Sequence, residues 1–196
     1  MNARNQYADT SSWSYYMDAD YYSELARLRE LFDDDWPESE PAVLHEATAF
    51  LSREARLIDE GRFNHWLELF SDECLYWVPI TPGGGDPQTE VSHAFDDRRR
   101  LTDRVYWLRT GLAYSQIPAS RTRHLISNVE VLDVAPGSRL VRSNFAVYEF
   151  RAGATKVYAG WYAHALVQTE QGWRIKVKRA NLLDSEQYHE NLTLVF

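Results

Sequence analysis

Six histidines (His45, His65, His93, His124, His164 and His189), one cysteine (Cys74) and 29 acidic residues are the side chains of this 196-residue chain that could bind a metal or move a proton. The histidines stand 20, 28, 31, 40 and 25 residues apart, so no two fall at the i, i+3 or i, i+4 spacing that puts a pair of imidazoles on one helix face. A [2Fe–2S] centre of the two-Cys, two-His kind is out of reach with a single cysteine. Glu60 and His65 would join a two-histidine, one-carboxylate iron site only by chance of folding. Nucleophilic chemistry fares no better: there is no GxSxG elbow, and Cys74 opens an apolar strand, where a thiol is ordinarily inert core. Gly83-Gly84-Gly85 has the composition of a phosphate cradle, but Gln88 stands where the third glycine of GxGxxG belongs and no Lys-Ser/Thr follows, so it reads as a loop. Acid–base chemistry remains open, because a cavity can shift the pKa of a buried Asp or His by desolvation. Its candidates are Asp59, His65, His124 and His164. The plainer reading makes His164 a hydrogen-bonded core residue and Asp59, at a helix end, a solvated one.

Those groups must be positioned by elements that the hydrophobic pattern marks out. From Pro41, the residues Val43, Leu44, Ala47, Phe50, Leu51, Ala55, Leu57 and Ile58 recur at three-to-four spacing, which predicts a long helix with Ser39 before its start and Gly61 after its end. A short helix over 63–70 follows, completing a helical hairpin. The period then turns to strand over 74–80, closed by a loop at 81–87. Asp96 is placed to N-cap the next helix, with Leu101, Val105 and Leu108 as its apolar stripe and Gly111 as its stop. Strands are predicted at about 123–134, 139–150, 156–169 and 173–183, and their short turns make neighbours antiparallel. In the last of them Trp173, Ile175 and Val177 alternate with Arg174, Lys176 and Lys178, predicting one face on the core and a basic face toward water or a partner. Three helices ahead of a long, mostly antiparallel sheet make an α+β domain whose curved sheet wraps the helices around a cone-shaped cavity.

The net charge is −8, and residues 1–41 supply −7 of it from ten acids and three bases. The remaining body is nearly balanced, which argues against an electrostatic grip on nucleic acid. The same arm holds eight of the 27 aromatic residues, Tyr7, Trp13, Tyr15, Tyr16, Tyr21, Tyr22, Phe32 and Trp36. A solvated acidic leader is ordinarily poor in aromatics, so this arm is expected to dock on its own body or on a neighbouring subunit. Within it Tyr21, Leu25, Leu28 and Phe32 predict an amphipathic helix over 20–32. The expected division is therefore an arm, 1–41, and one domain, 42–196. A lone cysteine, no secretory h-region and no apolar run of membrane-spanning length suggest a cytoplasmic protein that does not enter a membrane.

Four runs in order carry a family likeness. They are Asp59-Glu60-Gly61-Arg62-Phe63 with Trp66 and Leu69-Phe70; Leu75-Tyr76-Trp77-Val78-Pro79; Asp96-Asp97-Arg98 with Leu101, Arg104 and Val105; and Pro118-Ala119-Ser120-Arg121-Thr122-Arg123-His124 with Asn128. Over about residues 42–196 the chain resembles the small (beta) subunit of aromatic-ring-hydroxylating dioxygenases. The resemblance implies a cystatin-like cone of the nuclear-transport-factor-2 (NTF2-like) kind and an alpha3beta3 oxygenase. It also implies that a large alpha subunit carries the [2Fe–2S] Rieske cluster and the mononuclear Fe(II), takes electrons from NAD(P)H and dihydroxylates an aromatic ring. The beta subunit would hold no catalytic, metal or cofactor-binding residue and would serve mainly as structure, packing against the alpha subunit and other beta subunits in a threefold ring. Arg98, Arg104, Arg121 and Arg123 are its expected interface residues, since arginine and aromatics anchor such contacts; the plainer reading makes them surface arginines or local ion pairs with Asp96, Asp97 and Asp103. A stand-alone dehydratase or isomerase of the same fold, working through Asp and His, and a small-ligand binding module are the alternatives.

Overall fold

The computed structural model describes residues 14–111, 116–189, 192 and 194–196. Four helices, α1 (Ala19–Asp33), α2 (Pro41–Asp59), α3 (Phe63–Leu67) and α4 (Arg98–Thr110), accompany six strands. The strands are β1 (Phe70–Pro79), β2 (Ser92–Asp97), β3 (Arg121–Ala135), β4 (Ser138–Arg151), β5 (Ala154–Thr169) and β6 (Gly172–Leu182). They form one sheet in the order β2-β1-β6-β5-β4-β3, antiparallel except where β1 runs parallel to β6. The expected α+β class and mostly antiparallel sheet are what the structure has.

Helix α2 is built as its pattern predicts, burying Ala47, Leu51, Ala55, Leu57 and Ile58. It ends in a Schellman turn, the amide of Gly61 bonding the Ile58 carbonyl at 2.9 Å and that of Arg62 the Leu57 carbonyl at 2.8 Å. Ser39 does not cap it; its hydroxyl donates to the Val131 carbonyl at 2.7 Å and ties the linker to β3. The short second helix stops at Leu67, because Phe70 already belongs to β1, where Ile175 of β6 is its partner. Asp97, not Asp96, caps α4, accepting from the Arg100 amide at 2.8 Å. The strand β2 was not foreseen: Ser-His-Ala-Phe-Asp-Asp is short and largely polar, and pairing with β1 makes it a strand.

Helices pack on both faces of the sheet. On the concave one α2, α3 and α4 close over Trp66, Tyr76, Leu101, Val141, Phe145, Val147, Tyr162 and Ile175, and Leu194, Val195 and Phe196 pack into the same cluster. The amide of Phe196 donates to the Tyr76 hydroxyl at 3.1 Å. Curvature has a local cause in β3, where Asn128 adopts φ 50° and the register with β4 shifts between Ser127 and Glu130.

On the outer face α1 lays Tyr21, Leu25, Leu28 and Phe32 against Leu75, Trp77, Leu140, Ala163, Ala165 and Val177. Here the aromatic arm is docked on its own body; Tyr7 and Trp13 lie outside the described residues. Tyr16 fastens its start, its hydroxyl donating to the Cys74 carbonyl at 2.8 Å and accepting from the Arg98 amide at 2.7 Å. Arg142 of β4 fastens its end, bonding the Phe32 and Asp34 carbonyls at 3.1 and 2.9 Å.

The basic face expected on β6 is a correction. Ile175 pairs with Leu166 and Val177 with Ala165, so Lys176 is the extra residue of a β-bulge. The bulge shifts the phase of the strand: Ile175 faces the concave core, Val177 the α1 side, and Lys178 is carried into the interior.

Candidate functional site

The cone interior is where this architecture would hold acid–base chemistry, and Glu54 of α2 lies at its centre, 2% exposed. Its carboxylate accepts from Lys178 Nζ at 2.6 Å, His164 Nε2 at 3.0 Å and Trp66 Nε1 at 3.1 Å. Burial would raise the Glu54 carboxyl, but Lys178 and His164 outweigh it and hold it well below the usual carboxylate range. Burial also lowers His164, against the pull of Glu54, so the imidazole is neutral and donates through Nε2. Its Nδ1 and the Tyr162 hydroxyl beside it are buried without a partner. Lys178 stacks over the Tyr162 ring at 4.6 Å. Each ionised group here is matched by an opposite charge and hydrogen bonds, which is the arrangement that lets charges survive in a core.

A second pair joins the end of α2 to the start of β3. Asp59 accepts from His124 Nδ1 at 2.6 Å, the His124 amide at 3.0 Å and the Thr122 hydroxyl at 2.8 Å. Desolvation would raise the Asp59 carboxyl, but the bonds from His124 and Thr122 bring it below its ordinary value. The two residues line an open cleft of about 660 Å³ with Ser52, Arg56, Glu60 and Arg123. His65 is exposed on α3 and joins neither pair. Of the four acid–base candidates, then, two meet each other, one is buried in an ion-pair network and one stands apart. Asp59 is not merely solvated, and His164 is the hydrogen-bonded core residue that the plainer reading makes it.

Glu54 and Lys178, the core of the network, were missed. Glu54 sits between Leu51 and Ala55 on the buried face of α2, a signal the sequence did hold, whereas Lys178 is turned inward by a bulge that the alternation of β6 conceals.

The four arginines divide. Arg98 donates to the Leu67 and Phe70 carbonyls at 2.9 and 3.3 Å, and Arg104 pairs with Asp96 at 2.5 Å, so both hold the helical layer to β1 and β2. Arg121 and Arg123 are exposed on the outer face of β3, Arg121 over the Phe150 ring at 4.7 Å. Arg123 pairs with Tyr148 and Tyr148 with Val157, so these three share one outward face with Leu125 and Phe150. Leu125, Tyr148, Phe150 and Val157 are 40–57% exposed, beyond the reach of α1.

Among the described residues no three His, Cys, Asp or Glu converge to hold a metal ion. Cys74 is buried, and burial pushes its thiol up to about 12. The donor set of a Rieske cluster is therefore not one this chain can assemble.

Comparison with known proteins decides the family. The description "Ring hydroxylating beta subunit" matches residues 53–188. The chain belongs to the ring-hydroxylating dioxygenase beta subunits. This beta subunit is 32% identical over 153 residues to the small oxygenase component of the p-cumate 2,3-dioxygenase system of Pseudomonas putida, covering 76% of this chain and 85% of that one. It is 32% identical over 170 residues to the biphenyl 2,3-dioxygenase subunit beta of Rhodococcus jostii RHA1, covering 80% and 90%. Among solved structures, naphthalene 1,2-dioxygenase superposes with a TM-score of 0.71 at 20% identity, over 91% of this chain and 95% of that chain. A scytalone dehydratase-like protein of Novosphingobium aromaticivorans gives 0.57 at 13% identity, over 76% and 91%, which places the beta subunit in the NTF2-like cone fold. It is thus a beta subunit of the terminal oxygenase of an aromatic-ring-hydroxylating dioxygenase, in an oxidoreductase system.

Proposed function

We propose that this beta subunit is the non-catalytic, metal-free member of an alpha3beta3 oxygenase, whose alpha subunit holds the Rieske cluster and mononuclear iron and receives electrons from NAD(P)H in the cytoplasm. The observation that carries the reading is the outward face of β3–β5, where Leu125, Tyr148, Phe150 and Val157 stand exposed beside Arg121 and Arg123. Contiguous apolar surface rimmed by arginine is the composition of a subunit contact. Of the four expected interface arginines, Arg121 and Arg123 keep that role, and Arg98 and Arg104 serve the fold. The division is an arm, 1–41, and a beta-subunit domain, 42–196, with α1 of the arm acting as a strap over the outer face. The buried Glu54–His164–Lys178 network supports a structural rather than a catalytic interior, because its charges already satisfy one another. The test is co-expression with the large subunit, followed by the mass and iron content of the complex. A stable complex whose iron remains with the large subunit on dissociation is expected. Stoichiometric transition metal in this chain alone, or substrate turnover by it alone, overturns the reading.

A further inference from the structure

The two ends of α2 carry opposite charge that the chain itself leaves unpaired. At the C-terminal end, Ser52, Arg56, Asp59, Glu60, Arg123 and His124 line the open cleft of about 660 Å³. Its two acids are occupied, Asp59 by His124 and Thr122, and Glu60 by Arg62 at 3.6 Å. Its two arginines are not. Arg56 is exposed and its guanidinium bonds no described residue, and Arg123 reaches only the carbonyl of its neighbour Thr122, at 2.7 Å. The side chain of His124 is 1% exposed; Nδ1 is held by Asp59, and Nε2 is buried without a partner. Arg53, one turn before Arg56, and Arg121, two residues before Arg123 on the same side of β3, are exposed and extend the positive surface.

At the N-terminal end, the linker from α1 reads Asp33-Asp34-Asp35-Trp36-Pro37-Glu38-Ser39-Glu40, five acids and no base, with all five acids exposed. The carboxylates of Asp34, Asp35, Glu38 and Glu40 bond no described residue. The linker backbone is nonetheless held in place: Arg142 bonds the Asp34 carbonyl at 2.9 Å, and Ser39 bonds the Val131 carbonyl at 2.7 Å. Free carboxylates on a fixed backbone are preorganised for a partner and lose little entropy on meeting it.

These two surfaces cannot meet within one chain. With 19 residues, α2 is about 28 Å long. β3 runs beside it in the opposite sense, tied at one end by Asp59 to the His124 amide at 3.0 Å and at the other by Ser39 to Val131. Ends held that far apart are both satisfied only by other molecules, and between identical copies such a contact is head to tail and repeats until a ring closes. We propose that the acidic linker of one copy, through Asp34, Asp35, Glu38 and Glu40, docks on the Arg56–Arg123 cleft of the next copy, three such contacts closing a ring. The number three rests on the alpha3beta3 reading. A second copy is the partner because the complementary charge stands on this same chain.

Sedimentation of the full 196-residue chain without the large subunit is the test, so that its failure is distinct from a failure of the alpha3beta3 reading, which co-expression decides. A trimer is expected, weakened about tenfold or more as salt rises from about 0.05 to about 0.5 M. Arg56→Glu with Arg123→Glu should weaken self-association by about tenfold or more. Asp34→Lys with Glu38→Lys should do the same, and these exposed side chains lie outside both cores. The chain with all four substitutions, its charges exchanged, should form the trimer again. A monomeric or dimeric wild-type chain, a trimer indifferent to either reversal, or no recovery by a folded chain with all four substitutions overturns the proposal. Should the arginine variants fail to fold by circular dichroism, the linker pair and the salt series decide.

Discussion

Replacing Glu54 by Gln removes the anion opposite Lys178, so the buried amine must either give up its proton or stay charged without a partner. Breaking one side of such a pair costs about 3–5 kcal/mol, which urea unfolding would read directly. The double variant Glu54→Gln, Lys178→Met should recover much of that loss, because the desolvated charge goes with its partner. Acid should act in two stages on this network and on the Asp59–His124 pair. His164 has a folded pKa below its ordinary 6.5, so the unfolded chain takes up a proton that the folded chain refuses. Its contribution is present above about pH 6.5 and is lost as the pH falls below it. Glu54 and Asp59, both depressed in the folded state, add a second loss that begins near their ordinary values of 4.5 and 3.8 and deepens toward lower pH. Urea midpoints measured from pH 8 to pH 3 should show both stages, and His164→Gln should remove the first.

At the level of elements, β5 and β6 approach each other tightly at Gly160. A Cβ on Gly160 would stand 1.9 Å from the Asn181 carbonyl oxygen, a backbone atom that cannot rotate away. Gly160→Ala should therefore cost about 3 kcal/mol or more, seen as a lowered denaturation midpoint. On the outer face, Leu25→Ala should cost about 2–5 kcal/mol, since Leu25 lies fully against the sheet rather than on a solvated leader. The spacing of Tyr21, Leu25, Leu28 and Phe32 already showed that face, and the period of α2 showed its own. Local periodicity survives folding when one continuous face is buried. What it could not show is set by pairing across the sheet. The bulge at Lys176 depends on how β6 meets β5, and β2 exists because β1 needs an edge partner. Arg98 belongs to the same class, since nothing near it in sequence says that it reaches back to Leu67 and Phe70, whereas the Arg104–Asp96 pair is the local ion pair that the plainer reading offers.

For the molecule as a whole, the uncovered part of the outer face is the surface on which assembly should depend. Tyr148→Asp with Leu125→Asp places two charges in the middle of that surface without entering either core. The expected outcome is an unchanged circular dichroism spectrum and urea midpoint, with loss of the complex on size-exclusion chromatography with the large subunit. Arg98→Ala should do the reverse, lowering the unfolding free energy by about 1–3 kcal/mol, and the urea midpoint with it, through the loss of its charged hydrogen bonds while sparing assembly.

The parallel contact of β1 with β6 makes the order of synthesis matter. Roughly a hundred residues separate the two strands, so at ~5–20 residues per second a ribosome needs about 5–20 s to deliver the second after the first. Throughout that interval the Leu75–Val78 stretch has a bare edge and an apolar flank, a hazard for self-association in a nascent chain. A ribosome-stalled chain ending before residue 172 should consequently be cut by protease within β1, and one carrying β6 clear of the exit tunnel should resist.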